Sequence, residues 1–240
     1  MPPSANRRHS GGLLKRVKSA ILLPVGTVAS MFDVPDAVAL TFDDGPDRDV
    51  TPRVLDVLRR HGAKATFFVL TDYAVARSDL VKRILDEGHE VGLHFDRHDR
   101  ITDLSPDTAW KRMLEARQRL AELAGPVSLF RPPYGSQNYL TYLFARLLGF
   151  KVIGWSRTAD DWRDHSAESS AKQATENLVG GDIILMHDGL ELGPAEAIPT
   201  LDRAQVADLI LTEAAKRGLK AVTVGAILRR GVPQRSHWFR

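Results

Sequence analysis

The chain has 240 residues, 43% apolar and 26% charged, a balance that provides for a sizeable core and excludes wholesale disorder. That length suits one α/β barrel or sandwich rather than two enzyme domains. There is no cysteine, so disulfide scaffolds, thiolate metal sites and cysteine nucleophiles are excluded, and the compartment stays open between cytoplasmic and exported. The net charge is only +3 although the pI is about 9.3. Basic residues crowd the two ends: Arg7, Arg8, Lys15, Arg16 and Lys18 at the start, Arg229, Arg230, Arg235 and Arg240 at the finish. A nucleic-acid footprint would instead be a stripe across the folded body, so no nucleic-acid partner is expected.

Residues 1–36 read as an extension. A basic stretch, RRHSGGLLKRVK, precedes an apolar run at 20–32 that Pro24 interrupts and that is too short to span a bilayer. The order basic, apolar, small (Val28, Ala29, Ser30) suits an export signal or a membrane-associated leader, with membrane or cell-wall proximity; an ordinary N-terminal extension fits as well.

From Ala37 a pattern repeats in which a short apolar run, a turn and a helical stretch follow one another. The runs are AVALTF (37–42), KATFFVL (64–70), HEVGLH (89–94), VSLFR (127–131), FKVIGW (150–155), DIILMH (182–187) and LKAVTV (219–224). They are continuous rather than alternating, as strands covered on both faces are. Helices are expected between them. Residues 51–62 have Thr51 as N-cap, Pro52 at the first helical position and Gly62 as stop; 78–88 have Ser78 as cap; 105–125 run from a Ser105 cap to Gly125; 138–149, 167–181 and 205–218 complete the set. Seven strands alternating with helices predict a parallel sheet with crossovers, either a barrel or a doubly wound sheet. The tail after Gly231 reads as disordered or draped.

Polar residues stand at the carboxyl ends of five runs, the end where parallel barrels assemble their sites. Asp43 and Asp44 leave the first; His94 and His98 follow the third; Arg131 ends the fourth; Asp160, Asp161 and Trp162 follow the fifth; His187 and Asp188 close the sixth. Adjacent strand residues point in opposite directions, so one of Asp43 and Asp44 can ligate a metal while the other addresses a water. DDGPD is also good turn chemistry, and both readings hold. His94 and His98, four apart, can meet one cation. With Asp44 they make three ligands and leave a position open, which is the composition of a catalytic metal centre. Asp43 is then the candidate base and His187 the candidate acid, with Asp161 placed to orient the imidazole and Arg131 to pair with Asp43.

At these residues the sequence resembles the polysaccharide deacetylases of carbohydrate esterase family 4, the NodB-homology domain, over 37–228, leaving 229–240 as a basic tail. TFDDGPD (41–47) is similar to the family's first motif, with Asp43 as base and Asp44 as metal ligand. HFDRH (94–98) matches the two histidines of the second motif. RPPYG (131–135) matches the third, in which the arginine pairs with the base and the backbone N–H at Tyr134 helps bind the oxyanion. DDW (160–162) resembles the fourth, with Asp161 and Trp162 in its terminal positions. ILMHDG (184–189) matches the fifth, with Leu185 lining the acetyl pocket and His187 as acid.

The resemblance implies a distorted (β/α) barrel of about seven parallel strands. It implies a divalent metal, usually zinc with cobalt or nickel tolerated, and an acetylated carbohydrate substrate handled by a monomer. The implied reaction is hydrolysis of acetyl groups, foremost the N-acetyl of N-acetylglucosamine units in a poly-, oligo- or lipid-linked saccharide. The alternatives are a xylan O-acetyl esterase, a deformylase of a lipid-linked amino sugar, an amidohydrolase of small amides, or a catalytically silent carbohydrate-binding protein. Two positions depart from the family pattern. Phe95 stands where a Ser or Thr hydroxyl tethers the second-motif loop, and Thr158 stands where many relatives carry an acid.

Overall fold

The computed structural model describes residues 26–191 and 199–236; the basic stretch of the leader lies outside them. In chain order the first half comprises β1 (Thr27–Phe32), β2 (Ala37–Asp43), α1 (Val50–Arg60), β3 (Thr66–Val69), α2 (Thr71–Ala76), α3 (Ser78–Asp86), β4 (Glu90–Leu93) and α4 (Pro106–Ala124). The second half comprises β5 (Leu129–Phe130), α5 (Tyr139–Leu147), β6 (Lys151–Val152), β7 (Arg157–Thr158), α6 (Ala167–Thr175), β8 (Ile183–His187), α7 (Arg203–Lys216), β9 (Lys220–Val222), α8 (Val224–Arg230) and β10 (Val232–Ser236).

All seven apolar runs become strands of one parallel sheet, in the order β6-β5-β4-β3-β2-β8-β7 with β9 beside the first half of β2. β7 is the added member. It is a two-residue strand of half-buried Arg157 and Thr158, so it carries no apolar run to announce it. The sheet curls into a distorted half-barrel with helices outside. β2 is its axis, buried at every position, because β3 and β9 flank one edge and β8 the other. The main core packs Phe42, Phe67 and Leu40 of the sheet against Val54, Leu58, Ile84, Met113 and Ile210 of the helices.

Helix ends follow local chemistry, and at two of them the structure differs from the sequence-based expectation. Ser105 caps α4 by accepting from the Thr108 N–H at 3.3 Å, and Asn138 and Thr141 form a capping box on α5. Thr51, expected as a cap, lies inside α1, where Asp49 is the cap residue; its hydroxyl instead donates to Asp188 Oδ2 at 2.6 Å. Ser78 is likewise the first residue of α3, not its cap.

The expected extension and tail are also partly reassigned. Residues 27–32 and 232–236 pair as an antiparallel ribbon, β1 with β10, running from Thr27↔Ser236 to Phe32↔Val232. The ribbon is fastened to the sheet through Val28↔Ile153 and Ser30↔Asp182. Val28 and Met31 share a second core cluster with Ala39, Phe68, Leu129 and Ile183, so the ribbon covers apolar surface that the seven expected strands leave open. Among the described residues no helix is long and apolar enough to cross a membrane.

Candidate metal centre and active site

The parallel register delivers chemistry to one rim. Asp43, last residue of β2, lies opposite His187, last residue of β8, and Arg131 follows β5, whose neighbour β4 leads directly into His94. Asp44 turns the chain into the left-handed region at φ 70°, a strained conformation for a residue with a side chain. The turn needs its glycine, because a Cβ on Gly45 would collide with the Asp188 carboxylate.

These segments enclose a cavity of about 550 Å³. Asp43, Asp44, His94, His98, Tyr134, Trp162, Leu185 and His187 line it, while Arg131 and Asp161 stand behind. The structure thus brings all ten sequence-predicted residues to one place. Asp160 is the divergent neighbour. Its carboxylate accepts from the Thr158 hydroxyl at 2.9 Å and from Gln173 Nε2 at 2.7 Å, away from the cavity. Thr158 at the family's acidic position therefore ties down its own loop. The segment 160–162 also follows β7, not the 150–155 run.

Asp44, His94 and His98 offer ligand atoms that all lie within 4.8 Å of one another. Asp44 Oδ1 is 3.2 Å from His94 Nε2 and 3.3 Å from His98 Nε2. It is buried, and no hydrogen bond satisfies it. A buried carboxylate oxygen without a partner is costly, and a cation between it and two imidazoles removes that cost. The His94 ring is already oriented for ligation. Its Nδ1 contacts the Arg131 carbonyl oxygen at 2.7 Å, so Nε2 is the nitrogen presented to the cluster. Burial pushes His98 down to about 4 against the pull of Asp44, which leaves its imidazole neutral and able to ligate near pH 7. Burial pushes Asp44 up, but the approach of His94 and the charges of His187 and His98 outweigh it and hold the carboxyl down at about 2. The donor set fits a divalent ion.

Beside this cluster stand two supported side chains, Asp43 and His187. Arg131 is fully buried. Its Nη1 donates to Asp43 Oδ1 at 2.7 Å and to the Thr41 hydroxyl at 2.8 Å, its Nη2 donates to the Gly154 carbonyl at 2.8 Å, and its guanidinium lies 4.2 Å from the Phe68 ring centroid. Asp43 Oδ1 is thereby occupied, while Oδ2 lies 3.9 Å from His94 Nε2. His187 Nδ1 contacts Asp161 Oδ1 at 2.8 Å, and the His187 backbone N–H donates to Asp161 Oδ2 at 2.9 Å. Burial disfavours the imidazolium, but Asp161, with Asp44 and Asp43 beyond it, overcomes that and raises His187 to about 9.

Sequence reasoning missed several neighbours. Arg100, Trp155, Leu190 and Glu191, with Gly135 of the RPPYG motif, complete the cavity wall. Glu191 accepts from the Tyr73 hydroxyl at 2.6 Å and from the His98 N–H at 3.3 Å. Arg203 Nε, on α7, lies 3.7 Å from Asp161 Oδ2. Asp188, placed on the rim by the sequence but given no role there, is fully buried; burial and the charges of Asp44 and Asp43 raise it to about 7. Trp155 had a signal, since it ends the 150–155 run on the productive rim. Arg203 had none, because a helix position says nothing of what lies across the sheet end.

The geometry agrees with the family comparisons. The polysaccharide deacetylase family model matches residues 33–153. A peptidoglycan-N-acetylglucosamine deacetylase of Bacillus cereus is 37% identical over 216 residues, covering 87% of this chain and 96% of that protein. The chain belongs to the polysaccharide deacetylase family. A chitooligosaccharide deacetylase of Azorhizobium caulinodans is 30% identical over 167 residues, 69% of this chain and 80% of that protein. The crystal structure of the Bc1960 peptidoglycan N-acetylglucosamine deacetylase matches this deacetylase with a TM-score of 0.76 at 30% identity, covering 86% of this chain and 94% of that one. Polysaccharide deacetylases of this family are metalloenzymes, and Asp44, His94 and His98 are the candidate ligands here.

Proposed function

We propose that this polysaccharide deacetylase hydrolyses the acetamide of N-acetylglucosamine-type units in a saccharide, with one zinc ion held by Asp44, His94 and His98. The observation that carries the reading is the facing pair at the sheet rim. Asp43 and His187 are opposed in register, each has one side-chain atom engaged by a buried partner of opposite charge, and the cluster of Asp44, His94 and His98 lies beside them. A zinc ion at that cluster would acidify a water and polarise the acetyl carbonyl.

The side chains supply the rest. Asp43 Oδ2 takes a proton from water as the water oxygen bonds to the carbonyl carbon. Arg131 keeps the carboxylate oriented through Oδ1. The oxyanion develops beside the Tyr134 backbone, which is held in the left-handed region at φ 58° in the cavity wall. His187 has Nδ1 committed to Asp161, so its Nε2–H goes to the sugar nitrogen as the C–N bond breaks. Acetate and a free amine leave, and the two proton carriers re-equilibrate with solvent. Leu185 and Trp162 wall the acetyl group, the Trp162 ring standing edge-on to His187 at 5.3 Å.

The test is acetate release from N-acetylglucosamine oligomers and peptidoglycan fragments, with acetylated xylan and N-formyl amino sugars as competitors. Release should stop with a chelator and return with zinc; equal rates from apo and zinc-loaded protein would sink the mechanism. Asp43→Ala should retain sugar affinity and lose turnover, whereas a silent binding protein would have no turnover to lose.

A further inference from the structure

The segment 94–98 carries two of the three candidate ligands, so its shape fixes whether a cation can be held. That shape is strained. Phe95 lies between the histidines at φ 77°, a conformation that L-residues with bulky side chains avoid, and its ring is completely buried. Such a conformation persists only if the surroundings over-determine it. The Phe95 carbonyl is held by Thr71, whose N–H and hydroxyl donate to it at 3.0 and 3.2 Å. The Asp72 N–H donates to the Asp96 carbonyl at 3.1 Å and the His98 N–H donates to Glu191 at 3.3 Å, and the most extensive side-chain hold on the segment comes from α4.

We infer that Arg112, on α4, is a positioning residue that clamps the ligand loop into its metal-holding shape; the inference rests on the proposed metal centre. Its Nε and Nη2 each donate to the Asp96 carboxylate at 2.8 Å, a two-pronged contact, and Nη2 also donates to Asp99 at 2.5 Å. The same guanidinium lies 4.8 Å from the centroid of the Phe95 ring. Arg112 thus grips the residue after Phe95 and the residue after His98, and lies against the residue after His94. Both Arg112 and Asp96 are mostly buried, at 16% and 14% exposure, so the pair is shielded from the solvent that weakens surface ion pairs. The base of the clamp is firm: α4 buries Ala109, Met113 and Ala116 around Arg112, and Ser105 caps its start. Two carboxylates and an aromatic face converging on one planar cation suit arginine and not lysine, whose ammonium offers neither the fork nor the flat stacking surface.

The experiment is zinc affinity, by competition with a chromophoric chelator, for wild type, Arg112→Met, Arg112→Lys and Lys111→Met. Lys111 lies on the same helix and pairs with Glu115 at 3.9 Å, within the helix. Partners of ligating residues commonly alter metal affinity by about 10–100-fold. The expected result is a loss of at least about tenfold in both Arg112 variants, with Lys111→Met unchanged. Melting of the metal-free proteins is recorded in parallel, so that loop positioning is separated from general instability. Equal zinc affinity in wild type and Arg112→Met overturns the clamp, as does an equal loss in Lys111→Met. If Arg112→Met does not fold, Asp96→Asn with Asp99→Asn carries the test by the same criterion. Wild type that binds no zinc fails differently, because it removes the metal reading itself.

Discussion

His187 and His98 face one cavity and are both largely buried, yet they are displaced in opposite directions, to about 9 and about 4. Burial pushes both down. The difference is the second nitrogen: His187 Nδ1 rests on Asp161, whereas His98 Nδ1 is buried without a hydrogen-bond partner. One corner of the site therefore stores a proton, and the other presents a lone pair. Residue type fixes neither job; the group behind the ring does.

The sharpest way to break this contrast is to remove the proton store. His187→Ala should reduce kcat by roughly 10²–10⁴-fold while zinc affinity stays near wild type, as measured by acetate release and chelator competition. A parallel loss of zinc affinity would mean that the two corners are not separate.

Arg131→Met attacks the shared floor. It leaves Asp43 buried beside an unfilled partner position, and breaking a buried pair from one side costs about 3–5 kcal/mol. Urea denaturation should report that loss, with activity falling as Asp43 loses its orientation.

The pH dependence of the metal-free protein tests the His187 corner directly. Its folded pKa of about 9 exceeds the unfolded value of 6.5. The His187–Asp161 pair therefore contributes stability in full below pH 6.5 and loses it as pH rises through 9, a span of about 3 kcal/mol. Asp161→Asn should flatten that alkaline decline in denaturation curves recorded from pH 6 to 10; an unchanged slope would show that another group titrates there. The smallest effect belongs to the adjacent acid. Asp160→Ala removes hydrogen bonds that tie Thr158 and Gln173 together, and should cost about 1 kcal/mol and leave kcat within twofold.

The seven central strands were legible because both faces are buried, which makes each a continuous apolar run. The rim that gathers the candidate site was legible because a parallel sheet puts all its carboxyl ends on one side. β1 and β10 were not. Val232–Ser236 carries no apolar run, each of its residues being half-buried or exposed, and its partner lies some two hundred positions away, joined to a stretch that reads as a leader. Arg112 was hidden for a related reason. A basic residue on an amphipathic helix looks solvated until the left-handed turn at Phe95 brings Asp96 and Asp99 under it. Periodicity and strand-end placement reach what repeats; they do not reach a contact that depends on one unusual backbone angle.

The β1–β10 ribbon has a mechanical consequence. Thr27 and Ser236 are paired at its open end, so tension applied through the two flanking segments pulls along the direction in which the ladder unzips, one pair at a time. The load reaches the parallel sheet early through β1, because Val28 and Ser30 are bridged to Ile153 and Asp182. Single-molecule stretching should therefore record β10 peeling from β1 at low force, followed by a stronger rupture as β1 is pulled from the barrel.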